Sequence, residues 1–256
     1  MIEVERYRRL AERAVGRRVA AVDAPDTWFL KRGLDPATAA AVLPGRTVTG
    51  ARRVGKLLLL DTDGPTLGLR FGMTGRLLVD DAVGVGELTY GSNRDVAAWD
   101  RFVLRFGDGG DLRIRDPRRL GGVELDPDTS RLGPDAAALT PAQLTRALAG
   151  STAPLKTRLM DQTRVAGLGN LLVDEILWRA GLDPRRAAGS LSPQERRRLH
   201  THVRATLAEL TALGGSHRGH LQSARIRGGL CPRDGTPLAR SVVGGRTSYH
   251  CPRHQR

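Results

Sequence analysis

Cysteine is almost absent from this 256-residue chain: Cys231 and Cys251 are too few to build a disulfide framework. Lysine is nearly as rare. Of 41 basic residues only Lys31, Lys56 and Lys156 are lysines, and 41 minus 3 leaves 38 arginines. Aromatic residues make up 4% of the chain. No stretch approaches the roughly 18 uncharged apolar residues of a membrane helix, which excludes an integral helical membrane protein. A charged-then-apolar leader with a cleavage site is also missing, which argues against secretion and for a cytoplasmic protein. Acidic residues are in deficit as well, 27 against the 41 bases.

That deficit gives a net charge of +14 and a pI of about 11.2. A charge so far from zero points to a polyanionic partner, nucleic acid first. Arginine bias has an ordinary source in GC-rich coding, but a guanidinium also grips phosphate bidentately where an ammonium cannot. The charge is uneven. Residues 216–256 hold eight arginines against one acid, Asp234, a local +7.

Patterning divides the chain. Val4, Tyr7, Ala11 and Ala14 recur at helical spacing over 3–15. From about 46 to 125 the pattern is that of strands. Leu57–Leu60 is an apolar run, while 66–71, 101–106 and 112–115 alternate, with glycine-bearing turns between them. Several short strands at such spacing suggest a β-sandwich or barrel. From 135 the chain is helical. Thr140-Pro141-Ala142-Gln143 and Ser192-Pro193-Gln194-Glu195 each read as N-cap, proline at the first helical position and capping-box acceptor. Further helices are expected over 155–161 and 171–180, the second closed by Gly181. The fold class is therefore α+β, with domains expected at 1–125, 132–224 and 225–256.

Several motifs could carry chemistry. Cys231-Pro-Arg-Asp234 and Cys251-Pro-Arg-His254 are ligand pairs at spacing three, separated by a hairpin turning at Gly244-Gly245. That is the layout of a metal-clipped hairpin, with zinc the expected ion. A carboxylate is a rarer structural ligand than a thiolate, so a hairpin held by packing alone is the alternative. Gly167-Leu-Gly169-Asn170 opens directly into a helix, whose free N–H groups make an anion site; a plain turn with Asn170 as N-cap reads equally well. Asp116-Pro-Arg118-Arg119-Leu120-Gly121 places two arginines and an apolar residue on one turn, suited to a phosphate contact and a base wedge. Read alone, it is also an ordinary charged turn. Arg52–Lys56 and Gly72-Met73-Thr74-Gly75 pose the same choice.

Taken in order, these pieces resemble the formamidopyrimidine-DNA glycosylase/endonuclease VIII family along nearly the whole chain. Glu3-Val4-Glu5 matches the end of its N-terminal Pro-Glu-Leu-Pro-Glu-Val-Glu. Arg53–Lys56 before Leu57–Leu60 matches its catalytic-lysine hairpin, and 71–75 its Leu-Gly-Met-Ser-Gly turn. Residues 116–121 match Asp-Pro-Arg-Arg-Phe-Gly. Leu155–Asn170 matches the helix–two-turn–helix segment, and 245–255 the zinc-finger end. The resemblance implies a β-sandwich joined to a helical domain with a zinc hairpin, damaged duplex DNA held between them, and a monomer. It implies excision of an oxidised base followed by nicking of the abasic strand.

Residue by residue, the resemblance implies that Lys56 contacts phosphate and assists proton transfer. Met73, Arg118 and Leu120 fill the hole left by a flipped base, Leu120 replacing the usual Phe. Arg119, Lys156 and Asn170 contact phosphate, and Glu175 helps hold the helical domain together. Arg246 binds phosphates beside the lesion and takes part in the second elimination. Cys231, Asp234, Cys251 and His254 stand at the zinc positions. The departure is at the front. The family's nucleophile is an N-terminal proline amine, followed by a glutamate acid/base, and Met1-Ile2-Glu3 matches the third to fifth residues of that motif. The expectation is a start called too late, with Met-Pro-Glu before Met1. A damaged-DNA binder without catalysis is the alternative; an RNA- or ribosome-associated protein leaves Met73 and Arg118–Leu120 unexplained.

Overall fold

Short apolar runs cut by glycine turns become strands, and the capped, periodic segments become helices. The computed structural model describes residues 1–256 apart from 87, 89, 93 and 95. In chain order the first half holds α1 (Ile2–Ala11), β1 (Val19–Asp23), α2 (Pro36–Val42), β2 (Val48–Val54), β3 (Leu57–Thr62), β4 (Leu67–Arg70), β5 (Arg76–Val79), β6 (Ala82–Val83), β7 (Asp100–Phe106), β8 (Asp111–Arg115) and β9 (Gly122–Leu125). The second half holds α3 (Pro141–Leu148), α4 (Leu155–Met160), α5 (Asn170–Ala180), α6 (Pro193–Ala212), β10 (Ala239–Val243) and β11 (Arg246–His250). Two compact units result: Glu3–Thr129, and Ser130–Arg256 together with Met1–Ile2. The β10–β11 hairpin belongs to the second.

In the first unit one sheet runs β1-β7-β8-β5-β6 and the other β2-β3-β4-β9, with every neighbouring pair antiparallel. Phe102, Leu104, Leu112 and Ile114 of one sheet share a single core with Leu58, Leu60, Leu67, Leu69 and Val123 of the other. Two sheets sharing inward residues make a sandwich. The apolar face of α1 joins that core through Val4, Tyr7 and Ala11. Tyr7 packs on Phe71 with ring centroids 4.4 Å apart, and its hydroxyl donates to the Gly75 carbonyl at 3.0 Å. Helix α1 thereby fixes the turn that carries Met73.

The second unit is built on helices. Both capping boxes form: Gln143 N–H donates to Thr140 Oγ1 and Glu195 N–H to Ser192 Oγ, with the reciprocal bonds at 2.8 Å. Each such cap contributes about 1 kcal/mol. Leu199, Val203, Leu207 and Leu210 of α6 pack with Leu172, Val173 and Ile176 of α5. Gly181 ends α5 in the left-handed conformation at φ 65°. The strands of the hairpin pair from Ala239 with His250 to Val243 with Arg246. Among the described residues no helix is long and apolar enough to cross a membrane.

Candidate nucleic-acid interface and metal centre

In the sandwich unit, two turns separated by more than 40 residues are tied into one feature. Gly72 has φ +57°, and a Cβ there would stand 2.6 Å from Leu120 Cβ. Only glycine lets the 71–75 and 116–121 turns close to this distance. The fully buried Asp116 binds both. It accepts from Thr74 Oγ1 at 2.5 Å, Arg118 N at 3.2 Å and Gly121 N at 2.8 Å. Two apolar side chains project from the paired turns, Met73 at 52% and Leu120 at 44% exposure, and exposed Arg118 and Arg119 directly precede Leu120. Arg119 has φ 56°, uncommon for a side-chain-bearing residue, and its Nη2 donates to Asp26 Oδ1 at 2.5 Å.

Lys56 occupies the tight turn between β2 and β3, where Gly55 takes φ 60°. Its neighbour Arg53 clamps that turn, donating to the Gly55 carbonyl at 2.8 Å and to Glu5 Oε2 at 3.2 Å. Burial pushes the Glu5 carboxyl up, but Arg8 and Arg53 outweigh it and hold the pKa below the usual value. Glu5 therefore stays ionised and keeps the clamp closed.

In the helical unit Asn170 is the first residue of α5 rather than its cap; Gly169 occupies the cap position. The Asn170 Oδ1 atom is buried and has no hydrogen-bond partner. Lys156, expected at a phosphate, is placed otherwise. Its side chain is fully buried, and Nζ donates to Asp174 Oδ1 at 2.7 Å and to the Thr247 carbonyl at 2.9 Å. Burial pushes its pKa down and Asp174 opposes that shift. An ammonium so enclosed serves the fold, because it has no surface to offer a phosphate. Asp174 also accepts from Ser248 Oγ at 3.0 Å, Tyr249 N at 3.2 Å and Arg225. It thereby pins β11 to α5. Glu175, fully buried, accepts from Leu221 N at 2.8 Å, His220 N at 3.0 Å and Arg179 Nε at 2.7 Å. Arg246 opens β11 in the open, after Gly244 and Gly245 at φ 56° and 72°.

Cys231, Asp234, Cys251 and His254 converge, their ligand atoms all within 4.8 Å of one another. Cys231 Sγ and His254 Nδ1 lie 3.8 Å apart, Cys251 Sγ and Asp234 Oδ2 3.4 Å, and His254 Nδ1 and Asp234 Oδ2 3.1 Å. Tetrahedral bonds of 2.0–2.3 Å imply donor separations of about 3.3–3.8 Å. The surroundings suit a metal too. Trp178 Nε1 donates to Cys231 Sγ at 3.3 Å, and His254 Nε2 faces the Trp178 carbonyl at 3.2 Å. A proton held on Nε2 by that carbonyl leaves Nδ1 bare toward the cluster. The cluster can bind a metal ion.

A family model described as the formamidopyrimidine-DNA glycosylase N-terminal domain matches residues 1–123, and one described as the formamidopyrimidine-DNA glycosylase H2TH domain matches 132–220. The formamidopyrimidine-DNA glycosylase of Geobacillus kaustophilus is 36% identical over 281 residues, covering 99% of this chain and 98% of its own length. The chain belongs to the formamidopyrimidine-DNA glycosylase family. The Paracoccus denitrificans glycosylase is 38% identical, covering 98% of this chain and 97% of its own length. Among solved structures, the Lactococcus lactis glycosylase with abasic-site DNA aligns over 100% of this chain and 99% of that one, at a TM-score of 0.82 and 26% identity. The same Lactococcus protein with DNA containing the formamidopyrimidine lesion aligns with the same coverage, TM-score and identity.

Within this member of the glycosylase family, Met73, Arg118, Arg119 and Leu120 lie in one feature of the sandwich unit, and Lys56 sits on its own clamped turn. The four cluster residues converge in the helical unit, where Asn170 and Arg246 occupy separate turns. The sequence reading missed the residues that hold these in place: Asp26 behind Arg119, the Arg53–Glu5 pair behind Lys56, and Asp174 behind the Arg246 hairpin. Each is an ionisable residue on a strand, helix or loop, and only burial beside a counter-charge marks it. No local pattern carries that.

Proposed function

We propose that this chain is a DNA glycosylase and abasic-site lyase that removes an oxidised base from damaged duplex DNA and nicks the strand. The observation that carries the reading is the paired turn. Met73 and Leu120 stand exposed beside Arg118, on a support closed by Gly72 and the buried Asp116. Extruding a base costs a few kcal/mol of stacking and pairing, and apolar side chains in the vacated space offset it. Arg118 faces the bases there, while Arg119, Asn170 and Arg246 grip phosphate. Lys56, held by the Arg53 clamp, contacts phosphate and helps move the proton. Zinc is the ion assigned to Cys231, Asp234, Cys251 and His254, where it would clip the hairpin that bears Arg246.

Base excision in this family proceeds through attack of a proline secondary amine on the sugar C1′, expelling the base to leave an iminium that permits β-elimination. The reading assigns the nucleophile to such an amine, with the adjoining glutamate as acid/base. Two proteins test it: the chain as written, and the same chain with Met-Pro-Glu in front. With abasic or 8-oxoguanine duplex under borohydride, the extended protein is expected to form a covalent adduct and the shorter one none. An adduct with the shorter chain overturns the assignment of the nucleophile. No adduct with either overturns the enzymatic reading and leaves a damaged-DNA binder.

A further inference from the structure

Of ten aromatic residues in the chain, Trp28 stands out because 65% of it is exposed. A single apolar side chain left in water is ordinary, so what marks Trp28 is what surrounds it. Its setting is specific. Lys31 Nζ lies over the indole ring, 4.8 Å from the ring centroid, and also donates to the Trp28 carbonyl. One face of the ring thus carries a cation and the other remains open. Lys31 is also the one lysine of three to which the family resemblance gives no role.

The segment bearing Trp28 is bound on both sides to the 119–123 stretch. Before it, Asp26 Oδ1 accepts from Arg119 Nη2 at 2.5 Å. After it, Leu30 bridges to Val123 and Lys31 N donates to the Val123 carbonyl at 2.8 Å. A Cβ on Gly121 would come within 3.0 Å of Phe29 Cζ, and one on Gly122 within 2.7 Å of Lys31 Cγ. Trp28 is two residues from the Arg119 partner, at most about 7 Å of chain.

We propose that Trp28 and Lys31 form a second DNA contact beside the Met73–Leu120 wedge. The open indole face packs on a nucleotide neighbouring the wedge, and the Lys31 ammonium turns to that nucleotide's phosphate. An aromatic face with an adjoining cation is the chemistry that binds a base and its backbone together, without regard to sequence. The exposed Arg118 and Arg119 continue the same positive edge. The inference rests on the DNA-binding reading given above.

The experiment uses the full chain, Trp28→Ala and Lys31→Gln, with a duplex carrying a tetrahydrofuran abasic analogue, titrated at several salt concentrations. Trp28 is exposed and Lys31 half-buried, and circular dichroism verifies that the variants fold. Trp28→Ala is expected to weaken binding about tenfold with an unchanged salt slope, the signature of a lost stacking contact. Lys31→Gln is expected to lower the slope by about one. Tryptophan emission of the unsubstituted chain is expected to be quenched on adding duplex, and the quenching to shrink in Trp28→Phe. If the unsubstituted chain binds but both variants match it in affinity and slope, the proposal fails alone. If the unsubstituted chain does not bind the duplex, the proposal falls together with the reading beneath it.

Discussion

Asp116 has no exposed surface, yet three donors converge on its carboxylate. Removing a buried acceptor strands each donor that it served, at about 1–3 kcal/mol apiece. Asp116→Ala is therefore expected to lower unfolding stability by about 3 kcal/mol, measured by urea denaturation, and to weaken abasic-duplex binding by releasing the two turns. Arg118→Ala, on the exposed side of the same turn, is expected to weaken binding while leaving the urea midpoint unchanged. Equal midpoints for Asp116→Ala and the parent chain would show that the knot does not hold the turns. The motif around Asp116 was legible in the sequence, and so was the apolar residue on its turn. The partner Thr74, 42 residues away, was not, because only the sandwich brings it near. Lys156 shows the opposite failure. The family resemblance implies a phosphate contact for this lysine, but its partners, Asp174 and the Thr247 carbonyl, lie 18 and 91 residues off. Nothing local announces that the side chain turns inward.

At the scale of elements, the hairpin depends on two anchors. Its strands are pinned to α5 by Asp174, and its knuckles are closed by the cysteine cluster. The hairpin itself has a thin apolar share, with Trp178, Leu221, Cys231 and Cys251 forming the small core around it. A chelator is therefore expected to release zinc and change the emission of Trp178, whose indole N–H bonds Cys231 Sγ at 3.3 Å. The strand circular dichroism of the sandwich is expected to persist. Purified chain that holds no metal would sink the zinc assignment. Legibility differed by element for physical reasons. The helices opened by Thr140 and Ser192 were readable because caps are local chemistry. The hairpin was legible from the Gly244-Gly245 pair at which it turns, and its strands run from Ala239 to His250. Strand β1 escaped notice because it is a sheet edge with only Val19 buried, so it has no alternation to read. Helix α2 was also missed, although Asp35 before Pro36 caps it, with Thr38 N donating at 2.6 Å. That signal was present.

For the whole molecule, charge is divided between partner and fold. Half of the +14 sits in residues 216–256, but not all of it faces outward. Arg225 pairs with the buried Asp174, and Arg233 lies 5.0 Å from the Trp178 ring centroid while donating to the Arg179 carbonyl. Many of the acids are correspondingly committed to arginines, and several are held below their usual pKa. Glu195 is the clearest, brought to about 2, first by the Arg186 guanidinium at 2.6 Å, against an opposing push from burial. Asp61 is lowered chiefly by Arg52, and Glu209 by Arg179. A carboxylate whose folded pKa lies below its unfolded one stabilises the fold above the unfolded value and ceases to do so as pH falls through the folded one. The unfolded values are about 4. The stability these carboxylates contribute is therefore expected to hold level above about pH 5 and to fall steadily between about 4.5 and 2. Self-repulsion works in the same direction, because each protonation adds to a charge that is already strongly positive. Glu195→Gln isolates one contributor: it keeps a side-chain oxygen for the Ser192 N–H but loses the charge facing Arg186. Its urea midpoint is expected to lie below that of the parent chain at pH 7 and to converge with it near pH 2. A constant gap across that range would mean that Glu195 acts through packing or capping, with no contribution from its charge.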